Sequence, residues 1–164
     1  MRFTYGDSVK WPSSPDGAGP SLVLIAPKTN PDPTNPLHWR AGTPNPGATD
    51  ALTLPASLTG DDDGDGINNE IEHAIGAGAF PKMGREIVGV ATHATFTLER
   101  ANLADVSWDL ESSATLAAWT SANVAYEITT RAALPGGLER ITLRSVSPAP
   151  VPAHFLRAKL TARP

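Results

Sequence analysis

Asp105-Val106-Ser107-Trp108-Asp109-Leu110-Glu111 alternates polar and apolar residues without a break. Val106, Trp108 and Leu110 point one way and the four polar residues the other, which is the pattern of a strand buried on one face. The same period recurs at Thr95-Phe96-Thr97-Leu98-Glu99, Tyr126-Glu127-Ile128-Thr129, Ile141-Thr142-Leu143-Arg144 and Leu156-Arg157-Ala158-Lys159-Leu160. Turn signals separate these runs, notably Pro135-Gly136-Gly137 and Pro148-Ala149-Pro150-Val151-Pro152. Five to seven short strands at this spacing predict a small antiparallel β-sandwich over residues 87–164.

Composition agrees. The chain has 164 residues, with 40% apolar residues and 18% charged residues, the latter below the usual globular level. Gly (14) and Pro (16) are abundant, which suits short elements and many turns and excludes a coiled coil or a helical bundle. No apolar run approaches the roughly 18 residues of a membrane helix. The N-terminal stretch Met1–Pro15 lacks the apolar core of a signal peptide, so no export signal is expected in the chain as written. Cys is absent, which excludes disulfides and thiolate metal sites.

The formal charge of −4 is concentrated. Asp61, Asp62, Asp63, Asp65, Glu70 and Glu72 fall in one window with no base, and the remaining chain holds 11 acids against 13 bases. No basic stripe appears elsewhere, so a nucleic-acid partner is not expected. The window divides the chain into a Pro-rich segment (1–50), a linker with the acidic loop and a short helix (51–80), and the sandwich (87–164). The first segment holds one buried-strand candidate, Leu22-Val23-Leu24-Ile25, and a weaker one at Phe3 and Tyr5. In the second, Ile71, Ala74 and Ile75 share one helical face over about two turns, with Gly76 at the C-terminal cap.

Asp61-Asp62-Asp63-Gly64-Asp65-Gly66-Ile67-Asn68-Asn69-Glu70-Ile71-Glu72 fits a 12-residue calcium loop. With Asp61 at position 1, Asp63 and Asp65 fall at 3 and 5, and Gly66 at 6, where the chain must turn sharply. Ile67 at 7 offers its carbonyl, Asn69 at 9 ligates directly or through water, and Glu72 at 12 can give two oxygens. Carboxylate, carbonyl and amide oxygens suit Ca2+ rather than zinc, which prefers Cys or His. The alternative is a solvated acidic turn whose Asp and Asn side chains cap the helix. The incoming Leu54-Pro55-Ala56-Ser57-Leu58-Thr59-Gly60 makes a poor entering helix, and no second loop exists, so this is not a paired EF-hand.

Three resemblances accompany these readings. Tyr5-Gly-Asp-Ser-Val-Lys-Trp11-Pro12, Asp16-Gly17-Ala-Gly19-Pro20-Ser21-Leu22-Val23-Leu24, His38-Trp39-Arg40 and Gly42-Thr43-Pro44 together resemble the C-terminal half of a lamin-tail domain, about residues 3–48. That family's fold is an immunoglobulin-like sandwich, and its upstream strands are missing here, so the chain is expected to belong to something longer. The acidic loop resembles the single calcium repeats of the thrombospondin type 3 kind, in which the ion stiffens a linker. From Asp61 onward, Glu72-His73-Ala74-Ile75-Gly76, Trp108-Asp-Leu110-Glu111-Ser112-Ser113-Ala-Thr-Leu116-Ala-Ala-Trp119 and Phe155-Leu156-Arg157 are similar to the C-terminal β-module of large secreted bacterial proteins. No activity comes with that likeness.

Other chemistry is thinly supported by the residues. His38, His73, His93 and His154 are scattered, and no nucleophile elbow, P-loop or dinucleotide fingerprint occurs. The expectation is therefore a mainly β, non-enzymatic chain of immunoglobulin-like antiparallel sandwich segments, joined by a calcium loop and one short helix. It is expected outside the cell or at its surface, as a structural or adhesion module contacting other domains of the parent protein or cell-surface components, without membrane insertion. The alternative is a glycan-binding accessory module of a secreted hydrolase, with Trp11, Trp39 or Trp119 as a sugar platform.

Overall fold

The structure, a computed structural model, describes residues 4–17, 19–48, 55–76, 78–103, 105–148 and 155–162. Phe3, His154 and the turn at 150–152 lie outside them. The protein is mainly β, with antiparallel sheets and, among the described residues, a single α-helix. Two strands, β1 (Ser21–Leu24) and β2 (Trp39–Gly42), pair as an isolated ladder. Helix α1 (Asn69–Ile75) follows. Then come β3 (Lys82–Val88), β4 (Ala91–Ala101), β5 (Val106–Ser113), β6 (Thr120–Ser121), β7 (Tyr126–Leu134), β8 (Leu138–Ser145) and β9 (Phe155–Ala162). They form a four-stranded sheet ordered β3-β4-β8-β7 and a three-stranded sheet ordered β6-β5-β9.

The alternating runs become these strands because each has one apolar face to bury. Phe96 and Leu98 of β4, Ile141 and Leu143 of β8 and Ile128 of β7 share a core with Val106, Trp108 and Leu110 of β5. Leu156, Ala158 and Leu160 of β9 pack against it. Each aliphatic side chain so buried stabilises by roughly 1.5–3 kcal/mol. Two sheets enclosing one core make a sandwich-like fold. Leu37, Ala74 and Ile75 are buried in the same cluster, so the first segment and the helix both contribute to it. The four-stranded sheet begins at Lys82, ahead of the expected boundary at 87.

At one end the inner face of the larger sheet turns from apolar to charged. Arg100 is the cross-strand partner of Glu139, and it continues the inward row of Phe96 and Leu98. Arg131 joins them through a bulge. Register slips between Ile128 and Thr130, so Arg131 pairs with the buried Ile141. One extra residue inverts the parity of the strand, and that turns Arg131 inward. Glu139 then accepts from Arg100 Nε at 2.7 Å and from Arg131 Nε at 2.6 Å. Burial opposes the Glu139 charge, but Arg100 and Arg131 outweigh it and hold the carboxyl below its usual range.

The remaining guanidinium donors reach the N-terminal segment. Arg100 donates to the carbonyls of Leu37 (2.7 Å) and Trp39 (3.0 Å). Arg131 donates to those of Pro36 (3.0 Å), Trp39 (2.7 Å) and Lys10 (3.2 Å). Trp39 donates from Nε1 to the Pro33 carbonyl at 3.0 Å and packs edge-on against Trp11, with ring centroids 6.0 Å apart. The Pro-rich segment is therefore fastened through its own backbone carbonyls.

The sheet margins differ. β6 has two residues. β7 is bonded to the N-terminal segment by Arg131, and on β9 Arg157 pairs with Glu111 of β5. β3 pairs with β4 alone, and all seven of its residues are exposed. Among the described residues, no helix is long and apolar enough to cross a membrane.

The buried charges make a specific stability prediction. Glu139→Ala leaves two guanidiniums without their carboxylate, Arg100 being only 1% exposed. It should cost about 3–5 kcal/mol, the usual penalty for stranding a buried charge. Urea denaturation measures this, and a loss under about 1 kcal/mol would mean that the backbone carbonyls alone neutralise the pair.

Candidate metal centre

The acidic loop folds around its own backbone. Asp61 Oδ1 accepts from the amides of Gly64 (2.8 Å) and Asp65 (3.2 Å), and Oδ2 accepts from Gly66 (2.9 Å). Asp63 Oδ1 accepts from Asp65 N at 3.2 Å, and Asp65 Oδ1 from Ile67 N at 2.8 Å. Such side-chain turns are what short Asp residues favour in loops. Gly66 has φ 92°, a backbone region that an L side chain resists, and it sits at the sharp bend expected of position 6.

The result brings three carboxylates together. One oxygen from each of Asp61, Asp63 and Asp65 lies within 4.8 Å of the others, and all three residues are exposed. Glu72 is half-buried on α1. Partial desolvation, then the charges of Asp63, Asp65, Asp61 and Asp62, push its carboxyl up, so it stands within the field of the triad. Ile67 is half-buried, with its amide held by Asp65. The donor set is all oxygen, which suits a hard divalent ion such as Ca2+.

Asn69 is differently engaged. It is 5% exposed, its Oδ1 accepts from Asp62 N at 3.0 Å, and its Nδ2 donates to the Ser57 carbonyl at 2.8 Å. Its backbone N–H reaches the Gly60 carbonyl at 2.8 Å, and Glu70 N reaches Leu58 at 3.1 Å. The side chain thus closes the base of the loop, and its oxygen is already used. The sequence carried no cue to this role, because Asn at position 9 reads equally as a ligand.

The helix that carries Glu72 connects loop and core. Ala74 and Ile75 are buried in the cluster, and Ile71 packs against it. Gly76 ends the helix at φ 61°, with its amide on the Glu72 carbonyl at 2.6 Å. A Cβ there would lie 3.3 Å from both Ala101 and Leu138 side chains, so the exit is tight. His73 Nε2 lies 3.5 Å from Asp105 Oδ2, just before β5, and neither atom has a hydrogen-bond partner among the described residues.

The other candidates are spread apart. His38 is buried against β5, and His93 contacts the Ser145 carbonyl from Nδ1 at 2.7 Å. Trp11, Trp39 and Trp108 are buried. Trp119 is half-buried with the Arg157 guanidinium 4.2 Å from its ring centroid, which covers one ring face. Against protein families, curated proteins and solved structures, the chain gives no match.

Asn69→Ala separates structural support from ion ligation. Leaving Asp62 N and the Ser57 carbonyl without partners should cost about 1–3 kcal/mol. The loss should be equal with calcium and with chelator in thermal melts. A deficit appearing only with calcium would make the Asn69 side chain a ligand.

Proposed function

We propose that this chain is a non-catalytic, calcium-binding structural module of a larger extracellular protein, in which the ion orders the joint between the N-terminal segment and the sandwich. The observation that supports this most is the convergence of Asp61, Asp63 and Asp65 within 4.8 Å, in a loop with Gly at its bend. Like charges this close repel, and a divalent ion relieves that repulsion. The proposed ligands are Asp61, Asp63 and Asp65, the Ile67 carbonyl and Glu72, with Asn69 at position 9 acting directly or through water while its oxygen also accepts from Asp62 N.

The proposed extracellular setting sets the affinity the loop needs. Extracellular modules bind calcium at about 10⁻⁴–10⁻³ M, so millimolar calcium fills the site and cytosolic calcium does not. At ten times Kd the ion stabilises by about 1.4 kcal/mol, enough to order a linker. The lamin-tail, thrombospondin type 3 and secreted-module resemblances favour an architectural role with neighbouring domains or cell-surface components as partners. A glycan-binding reading gains little from tryptophans that are buried or half-covered.

Isothermal titration of the intact chain with calcium and with magnesium tests the proposal. Calcium should bind with a single site, and Asp61→Ala, Asp65→Ala and Glu72→Ala should each weaken it by roughly tenfold or more, about 1.4 kcal/mol. The circular dichroism of the sheets should remain unchanged in all three. Calcium should also slow proteolysis between residues 55 and 76, and equal cleavage in calcium and in chelator would sink the reading.

A further inference from the structure

His38 joins the N-terminal segment to β5, beside the main-chain carbonyls that the arginine network holds. It is 7% exposed, at the end of a 3-10 turn (Pro36–His38) that packs on β5. Both ring nitrogens face oxygen acceptors. Nδ1 lies 2.9 Å from the Asp32 carbonyl, and Nε2 lies 3.2 Å from Asp109 Oδ1. A neutral imidazole has one N–H and can satisfy only one of these, whereas the imidazolium donates to both. A second partner competes for Nε2, because Asn35 Nδ2 lies 3.2 Å from it. The same Asn35 amide lies 3.4 Å from Asp109 Oδ1.

From this geometry we propose that His38 and Asp109 form a proton-dependent latch, closed when the ring is charged and opened when it is neutral. In the closed form Nδ1–H donates to the Asp32 carbonyl, Nε2–H donates to Asp109, and Asn35 turns its amide to Asp109 as well. Two donors, Nε2–H and the Asn35 amide, then bind the strap 32–38 to β5, while Nδ1–H closes the strap on itself. In the open form Nδ1–H keeps the Asp32 carbonyl, and Nε2 accepts from Asn35 instead. Asp109 then keeps its 2.8 Å bond from Asn123 Nδ2 and no longer holds the strap.

The surrounding charges set the working range. Asp109 faces the ring from β5, Asp32 from the strap itself, and Lys159 of β9 acts on Asp109. Burial disfavours the charged ring, but the Asp109 hydrogen bond, the Asp32 carbonyl and the two carboxylate charges outweigh it and raise His38 above its ordinary value. The His38 bond, against the cost of burial, holds Asp109 below its ordinary value. A raised histidine contributes its full stabilisation below its ordinary 6.5 and loses it as pH rises through the raised value. A lowered carboxylate contributes above its ordinary 3.8 and loses it as pH falls through the lowered value. The latch is therefore firmest between 3.8 and 6.5 and opens on the alkaline side.

An NMR titration of the His38 ring in the intact chain is the primary test. Its midpoint should lie above that of an exposed histidine, and Asp109→Asn should bring it down. Hydrogen-exchange protection factors of residues 32–38 should fall severalfold as pH passes the midpoint, while those of β4 and β8 stay constant. In His38→Gln the strap's protection should be independent of pH. A wild-type midpoint at or below the exposed value, or strap protection unchanged across it, would overturn the proposal. Both wild-type readings stand whether or not the variants fold.

Discussion

A single carboxylate, Glu139, holds two buried guanidiniums at one end of the sandwich, and through them fastens the N-terminal segment at Lys10 and from Pro36 to Trp39. Arg100 and Arg131 each have more donors than Glu139 can accept. The surplus goes to main-chain carbonyls of Leu37, Trp39, Pro36 and Lys10. A short polar segment with one two-stranded ladder cannot bury enough surface to hold itself. Here a folded sheet supplies charge-assisted bonds to its backbone, and these are about twice as strong as neutral ones.

The acidic loop is attached by different means. Asn69 shuts its base, and α1 leads from it directly into the hydrophobic cluster through Ala74 and Ile75. Any force on the loop is carried by a helix of seven residues with little room to shift, since Gly76 is hemmed in by Ala101 and Leu138. The loop's order and the seating of the helix are thus mechanically one thing.

Much of the sandwich was legible because its core strands bury one face, and burial of one face imposes a period of two. Val106, Trp108 and Leu110 read correctly for that reason. β3 did not read, because Lys82-Met83-Gly84-Arg85-Glu86-Ile87-Val88 is wet on both faces and nothing enforces alternation. β7 read only to Thr129, where the bulge inverts its parity. Arg100, Arg131 and Glu139 carry no sign of burial in the sequence, since no local rule says that a charged position will be roofed by a segment some 60 to 95 residues away. In the loop, the convergence of Asp61, Asp63 and Asp65 followed from spacing, whereas the diversion of Asn69 depends on Ser57 and Asp62 and could not be read from its position.

The larger sheet has one strand more than the layer facing it, and β3 is the strand left over. It has backbone bonds on one side and buries no side chain on either face, its Met83, Ile87 and Val88 being exposed. Local opening is governed by just those deficits. Opening this margin therefore sacrifices one ladder of backbone bonds and no buried side chain, whereas the Trp108 core is closed in by both sheets.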